Sequence, residues 1–366
     1  MLKHLFCARP KMQDAMSRLT RHGVAVDVCD RFAAFLLEAP ARELYHFNPR
    51  LLTERLPLDE RAILKLLLTA LSEGIVTLHW DIRCPRCGAM DHHRTSLSQL
   101  HHECQCPVCQ VSSPPRLDEE VRVTFSPHPR LRALPASADD AVFRSQIDTR
   151  LGPVPGQSLL LLPDFQRLFP QEHLAPDESL EVTRVVVLFT DLAGSTALYA
   201  ARGDPRAYHL VRLHFDALLQ AADSNGGTIV KTIGDAIMAA FQTPVEAMRG
   251  ALAMQHHIAA LNEREHLSNS RSLLLKVGLH AGPCLNVTLN DRPDYFGTTV
   301  NIAARVQGVS HGGDVVCTDI LYTDPEVQTL VQGYTVESTP VMLKGIIAPV
   351  LVHRLWMLDV ERPAPD

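Results

Sequence analysis

The chain has 366 residues, more than one ordinary core organises, so two domains are expected. Hydrophobic residues make up 46% and charged residues 21%, and the formal net charge of −6 argues against nucleic acid as a main partner. No apolar run reaches the length of a membrane span, and the start "MLKHLFCARPKMQDAMSRL" is too broken by charges and Pro for a signal peptide. A cytoplasmic protein with no membrane partner is the expectation.

Residues 10–73 have apolar spacing suited to helices, as in "RFAAFLLEA" and "LDERAILKLLLTALSEG". The second stretch has Asp59 and Glu60 at its start and Gly74 past its end, which are helix punctuation. "IVTLHWDI" reads as a strand leading to "CPRCG", with Cys84 and Cys87, and "CPVCQ", with Cys106 and Cys109, follows 18 residues later. Two CxxC knuckles at this spacing suit one tetrahedral Zn2+ in a zinc ribbon over 84–109, while a redox dithiol needs no second knuckle. Cys104, His101 and His102 are alternative ligands from the same stretch. Helix, strand and ribbon together also suit a winged-helix or DNA-binding module, which the acidic balance opposes.

Residues 107–180 are rich in Pro, and "PQEHLAPDESLEVTR" reads as a polar linker. The expected division is an N-terminal regulatory module over 1–178 and a second domain over 179–366. From residue 183 strands and helices alternate. "TRVVVLFTDL" is a buried strand, "STALYAARGDPRAYHLVRLHFDALLQAADSNGG" is helical, and "GTIVKTIG" and "DAIMAAFQ" are paired strands. "PVEAMRGALAMQHHIAALNEREH" is a helix opened by Pro244, and "LLLKVGLHAGPCLNVTL" is again a strand. The expected fold class is therefore α+β: a ferredoxin-like βαββαβ core preceded by a helical, zinc-ribbon module.

The hairpin "IVKTIGDAIMAAF" carries Lys231 and Asp235 in an otherwise apolar run, with Gly234 marking the turn. Buried charges are costly unless paired, so each needs a partner. Asp191 ends the preceding buried strand, and neighbouring strands would bring it to Asp235; two carboxylates that close require a cation. "LAGST" then places Gly194, Ser195 and Thr196 between strand and helix, where backbone N–H groups suit phosphate oxygens. In "TVNIAARV", Asn301 and Arg305 lie four apart on one helix face.

Taken together, "VVVLFTDLAGST", "GGTIVKTIGDAIMAAF", "KVGLHAGP" and "DYFGTTVNIAARV" resemble the class III adenylyl and guanylyl cyclase catalytic domain, over roughly residues 180–357. The N-terminal half resembles the zinc-ribbon region that precedes this domain in some bacterial members. The resemblance implies that Asp191, Asp235 and the Leu192 carbonyl hold two Mg2+ or Mn2+ ions. It implies that Lys231 donates to adenine N1 and Asp294 accepts from its N6 amino group. Asn301 would orient the ribose, Arg305 would stabilise charge at the α-phosphate, and Lys344 would contact the terminal phosphates. It further implies a head-to-tail homodimer with composite sites. The implied activity is conversion of ATP to 3′,5′-cyclic AMP and pyrophosphate. The alternatives are a guanylate or dual-specificity cyclase, disfavoured by Lys231 and Asp294, and a catalytically silent nucleotide-binding regulator.

Overall fold

The computed structural model describes residues 2–92, 94–194, 204–267 and 272–356. Contacts divide the chain into two units. One comprises Met1–Leu160, Asp164–Glu181 and Thr288–Arg292; the other comprises Leu161–Pro163, Val182–Val287 and Pro293–Asp366.

The first unit opens with α1 (Leu2–Arg21), α2 (Val26–Glu38), α3 (Ala41–Leu44) and α4 (Glu60–Ser72). Asp59 caps α4 as its sequence suggests, accepting from Ala62 N at 2.8 Å. Five strands follow: β1 (Val76–Arg83), β2 (Met90–Asp91), β3 (Cys104–Gln105), β4 (Ser112–Ser113) and β5 (Val121–Pro127). They make a three-stranded sheet of order β2-β1-β5 and a separate β3–β4 pair. Helices α5 (Ala141–Leu151), α6 (Gly156–Leu160) and α7 (Pro163–Leu168) come next.

The stretch read as a polar linker is anchored instead. Glu172 Oε2 accepts from Ser96 Oγ and Leu97 N, and Glu178 accepts from His102 N at 2.6 Å. Carboxylates held by backbone amides cannot act as free spacer residues. The next strand, β6 (Ser179–Leu192), accordingly starts at Ser179, four residues before the expected position.

The second unit continues with α8 (Asp204–Ser224), β7 (Thr228–Ile233), β8 (Ala236–Phe241), α9 (Pro244–Arg264), β9 (Leu275–Leu289) and β10 (Arg292–Phe296). It ends with α10 (Thr298–Gln307), β11 (Asp314–Thr318), α11 (Asp319–Tyr322), α12 (Pro325–Leu330), β12 (Thr335–Val341) and β13 (Val350–Trp356). Its sheet has the order β12-β13-β11-β9-β6-β8-β7, with β10 paired to β9. The run β9-β6-β8-β7 joined by α8 and α9 is the expected βαββαβ core; β10–β13 extend it. Val186 and Leu188 of β6 share a core with Leu218 of α8, Met248 of α9 and Val277 of β9. The helix α10 instead packs Val306 against Val316 and Val352, residues out of phase with core members Val315 and Leu355. Alternate strand residues point to opposite faces, so α10 lies across the sheet from α8 and α9.

Candidate active site

Asp235 owes its place to a two-residue turn. Ile233 pairs with Ala236, leaving Gly234 and Asp235 as the turn itself, and Gly234 adopts φ +63°, which only glycine takes readily. The turn brings Asp235 into electrostatic reach of Asp191 near the end of β6. Burial, and then the Asp235 charge, push the Asp191 carboxyl above its ordinary value, while Lys276 on β9 partly offsets them. Asp235 Oδ2 is buried with no hydrogen-bond donor among the described residues. An orphaned carboxylate oxygen beside a second carboxylate fits a divalent cation.

Lys231 is aimed by an irregularity that its sequence does not announce. The register of β7 on β8 slips between Ile229 and Lys231, a bulge at Val230 that turns the next side chain. Lys231 Nζ reaches Asp294 Oδ2 on β10 at 2.5 Å, while Asp294 Oδ1 accepts from Tyr295 N at 2.8 Å. Asp294 is buried; Lys231 is about one-third exposed, at 36%. A donor and an acceptor thus stand side by side, each half satisfied by the other.

Three residues after Asp294, Gly297 opens α10, which carries Asn301 on an exposed position and Arg305 half-buried. Arg305 Nη2 lies close to Gly345, within 3.6 Å of where a Cβ there would be, so its guanidinium stands beside the loop that bears exposed Lys344. Among the described residues neither Arg305 nor Lys344 has a carboxylate partner, and none links Arg305 to Asp191 or Asp235. Gly194 is exposed with φ +69°, and Leu192 is buried. Ser195 and Thr196 lie outside the described residues.

Lys276 was not singled out in the sequence, because only strand pairing places it near Asp191. Gly278 was also missed as a residue in its own right: a Cβ there would fall 2.0 Å from Gln307 N, so α10 packs directly on β9 backbone. Its signal was present in the quoted "KVGLHAGP", as a Gly inside a strand.

In the first unit, Cys84, Cys87, Cys106 and Cys109 bring four sulfurs together. Sγ separations are 3.7 Å for Cys84–Cys109 and 3.6 Å for Cys87–Cys106. Thiolates about 2.3 Å from a tetrahedral Zn2+ stand close to that far apart, so the set fits the ion. Val108 N and Cys109 N each lie 3.4 Å from Cys106 Sγ, and the hydrogen bond from Cys109 leads in bringing that thiol down to about 6. The alternative ligands are engaged elsewhere: His101 and His102 meet Glu178, and Cys104 Sγ lies 3.8 Å from Arg94 Nη2.

No helix among the described residues is long and apolar enough to cross a membrane. Residues 178–345 match the adenylate and guanylate cyclase catalytic domain, and residues 11–146 match a family of unknown function, DUF5939. A receptor-type adenylate cyclase of Trypanosoma equiperdum is 29% identical over 219 residues, 50% of this chain and 46% of that protein. An adenylate cyclase of Lachancea kluyveri is 31% identical over 160 residues, 39% of this chain and 9% of that protein. The adenylyl cyclase CyaB of P. aeruginosa has a solved structure with 23% identity, covering 50% of this chain and 98% of that one at a TM-score of 0.42. The chain spans under half the length of these curated relatives. What these proteins share with the chain lies in residues 178–345, the stretch that matches the adenylate and guanylate cyclase catalytic domain family.

Proposed function

We propose that the chain is an adenylate cyclase, making 3′,5′-cyclic AMP and pyrophosphate from ATP at composite sites in a head-to-tail homodimer. The observation that carries this is a separation of complementary groups. Asp235 Oδ2 lacks a donor, and Arg305 lacks a carboxylate, among the described residues of one chain. A second copy related by a two-fold axis would supply each with its counterpart across a shared substrate.

In this reading Asp191, Asp235 and the Leu192 carbonyl hold two Mg2+ or Mn2+ ions, which lower the pKa of the ribose 3′-hydroxyl and neutralise the triphosphate. Lys231 donates a hydrogen bond to adenine N1 and Asp294 accepts one from the N6 amino group, which favours ATP over GTP. Asn301 orients the ribose so that the 3′-oxygen stands in line with the α-phosphate. Arg305 stabilises negative charge gathering there, while Lys344 and the backbone of Gly194, Ser195 and Thr196 hold the remaining phosphates. In the first unit the four Cys hold a structural Zn2+.

The test is a turnover assay offering ATP and GTP separately with Mn2+, on the full chain, on Asp235→Ala, on Arg305→Ala, and on an equal mixture of the two variants. Cyclic AMP from the parent, none from either variant, and partial recovery in the mixture are expected, since a mixed dimer contains one intact site. Failure of the mixture to recover would reject shared sites. ATP bound but never turned over, by the full chain and by residues 179–366, would leave a silent nucleotide-binding protein.

A further inference from the structure

Two strands and one turn of helix converge on His353 of β13. It stands opposite Cys317 of β11 on one side and Ser338 of β12 on the other. Residues alternate along β13, so Val352 faces the small cluster under α10 while His353 shares the opposite face with Leu355. There His353 is 5% exposed. Asp319 and Tyr322, three residues apart in the single turn of α11, both meet it. The Tyr322 ring lies on the imidazole, with centroids 4.0 Å apart and planes 16° from parallel.

Ser338 Oγ lies 2.8 Å from His353 Nδ1, and His353 Nε2 lies 3.0 Å from Asp319 Oδ1. The direction of both bonds follows from what each group can do. A carboxylate only accepts, so Nε2 carries the ring proton. In the neutral imidazole Nδ1 is then bare, and the Ser338 hydroxyl donates to it. The hydroxyl proton is thus already aimed at a base, whose ring is held by a carboxylate on its far side and by Tyr322 on its face. This is the arrangement that activates a serine oxygen. The two ring nitrogens are exchanged relative to the familiar triad, but the three roles are the same.

Of the two nucleophiles beside His353, Ser338 is the open one. Cys317 is fully buried, and burial pushes its thiol well above the ordinary range, so it is neither reached nor ionised. Ser338 is exposed, on the last strand of the sheet. Among the described residues no strand pairs with the outer edge of β12. Such an edge presents unpaired backbone N–H groups, the kind of donor that a developing oxyanion needs. An exposed hydroxyl can bond water equally well, so the third member of the set adds little to the fold.

We propose that Ser338, His353 and Asp319 form a second, nucleophilic site that takes acyl groups from activated carboxylic esters. Ser338 Oγ bonds to the ester carbonyl carbon as its proton passes to His353 Nδ1, with Asp319 steadying the Nε2–H. The bond to the leaving alcohol then breaks, and that oxygen takes the proton from Nδ1, giving an acyl ester on Ser338 and free alcohol. Water, deprotonated by the same nitrogen, releases the carboxylic acid and restores the hydroxyl. Ser338 stands on open surface, so the reactivity of the ester selects it more than binding does. The proposal is independent of the cyclase reading.

The probes are p-nitrophenyl acetate and a fluorophosphonate, which reacts with activated serines by loss of fluoride and leaves a stable phosphonyl ester. On the full chain the phosphonyl group should map to Ser338 by peptide mass spectrometry, and ester hydrolysis should exceed that of Ser338→Ala. His353→Gln, which cannot take the proton, should slow both reactions by about 100-fold or more. Asp319→Asn frees the ring to take the other tautomer and should slow them less far. Its side chain is 49% exposed, so this variant carries the test if His353→Gln folds poorly. Labelling of Ser338 no faster than of exposed Ser112, or equal rates in the parent and Asp319→Asn, would leave the three residues as a brace between α11 and the β12–β13 pair and overturn the proposal.

Discussion

Lys231 Nζ and Asp294 Oδ2 stand 2.5 Å apart, an ion pair between the hairpin strand β7 and the strand that leads into α10. A closed pair of this kind keeps a buried carboxylate satisfied until a ligand with its own donor and acceptor inserts between the two. On the proposed reading the adenine edge does this. Asp294→Ala removes an acceptor and leaves Lys231 free, so kcat/KM for ATP should fall by about 10- to 100-fold with little change for GTP. Steady-state kinetics with both nucleotides test this, and equal losses on the two would mean the pair is structural.

Asp191 is held unfavourably in the absence of a cation, because burial and Asp235 both resist its ionisation. Asp191→Asn should therefore raise the midpoint of the metal-free protein, by only about 1–2 °C because the carboxyl is half-exposed and screened. The same substitution should abolish turnover and remove stabilisation by Mn2+. A variant less stable than the parent without metal would show that Asp191 serves the fold instead.

At Gly278 the constraint is steric. Backbone atoms of Gln307 occupy the place of any Cβ, at 2.0 Å for N and 2.3 Å for Cα, and backbone cannot rotate away as a side chain can. Gly278→Ala should push the C-terminal end of α10 off β9 and cost about 1–3 kcal/mol. Turnover should fall through displaced Arg305, with stabilisation by Mn2+ retained at Asp191 and Asp235. Denaturant unfolding and Mn2+-dependent melting separate these effects.

How far such relationships can be read in advance depends on how local their causes are. The turn at Gly234 and the two Cys knuckles arise within a few residues, so "KTIGDA" and "CPRCG" declare them. The βαββαβ order follows from alternating patterns of sequential elements. The bulge at Val230 does not, because it exists only as a mismatch between β7 and β8. Gly278 acquires its meaning from a helix some thirty residues later. The segment around Glu178 reads as a spacer because its polar, Pro-containing composition is that of a linker, yet Leu97 and His102 amides capture its carboxylates. The meeting of Ser338, His353 and Asp319 was equally hidden: it exists only once β12, β13 and α11 are assembled.

The four-Cys cluster predicts a metal content. Cys106, already poised near 6 by backbone N–H groups, would be a thiolate at neutral pH and a ready first ligand. The purified chain should carry one zinc by atomic emission, and Cys106→Ser should lose it. In isolated zinc fingers the ion contributes on the order of 10 kcal/mol; here Trp80 and Phe125 supply a core beside the ribbon, so the loss should be local. New proteolytic cuts confined to residues 84–113 are the expected sign. Full zinc content in Cys106→Ser would point to one of the alternative ligands, Cys104, His101 or His102.

The contact between His102 and Glu178 should give the chain a pH response of definite sign. The hydrogen bond from His102 N leads in holding the Glu178 carboxyl at about 2, and the imidazoles of His101 and His102 reinforce it. Its hydrogen bond to Glu178 in turn raises His102 above the ordinary histidine value. A raised histidine stabilises the fold below its unfolded pKa of about 6.5, and that contribution is lost as pH climbs through the folded value. A depressed carboxylate stabilises above about 4.5 and loses its effect only as pH falls toward 2. The contact is therefore complete between these limits and weakens above neutrality. Both imidazoles are exposed, at 56% and 66%, so the effect should be modest and should shrink with salt. Midpoints measured from about pH 6 to 8 should decline in the parent and flatten in both His102→Ala and Glu178→Gln. Parallel curves for all three would mean that this contact does not help anchor the residues leading into β6.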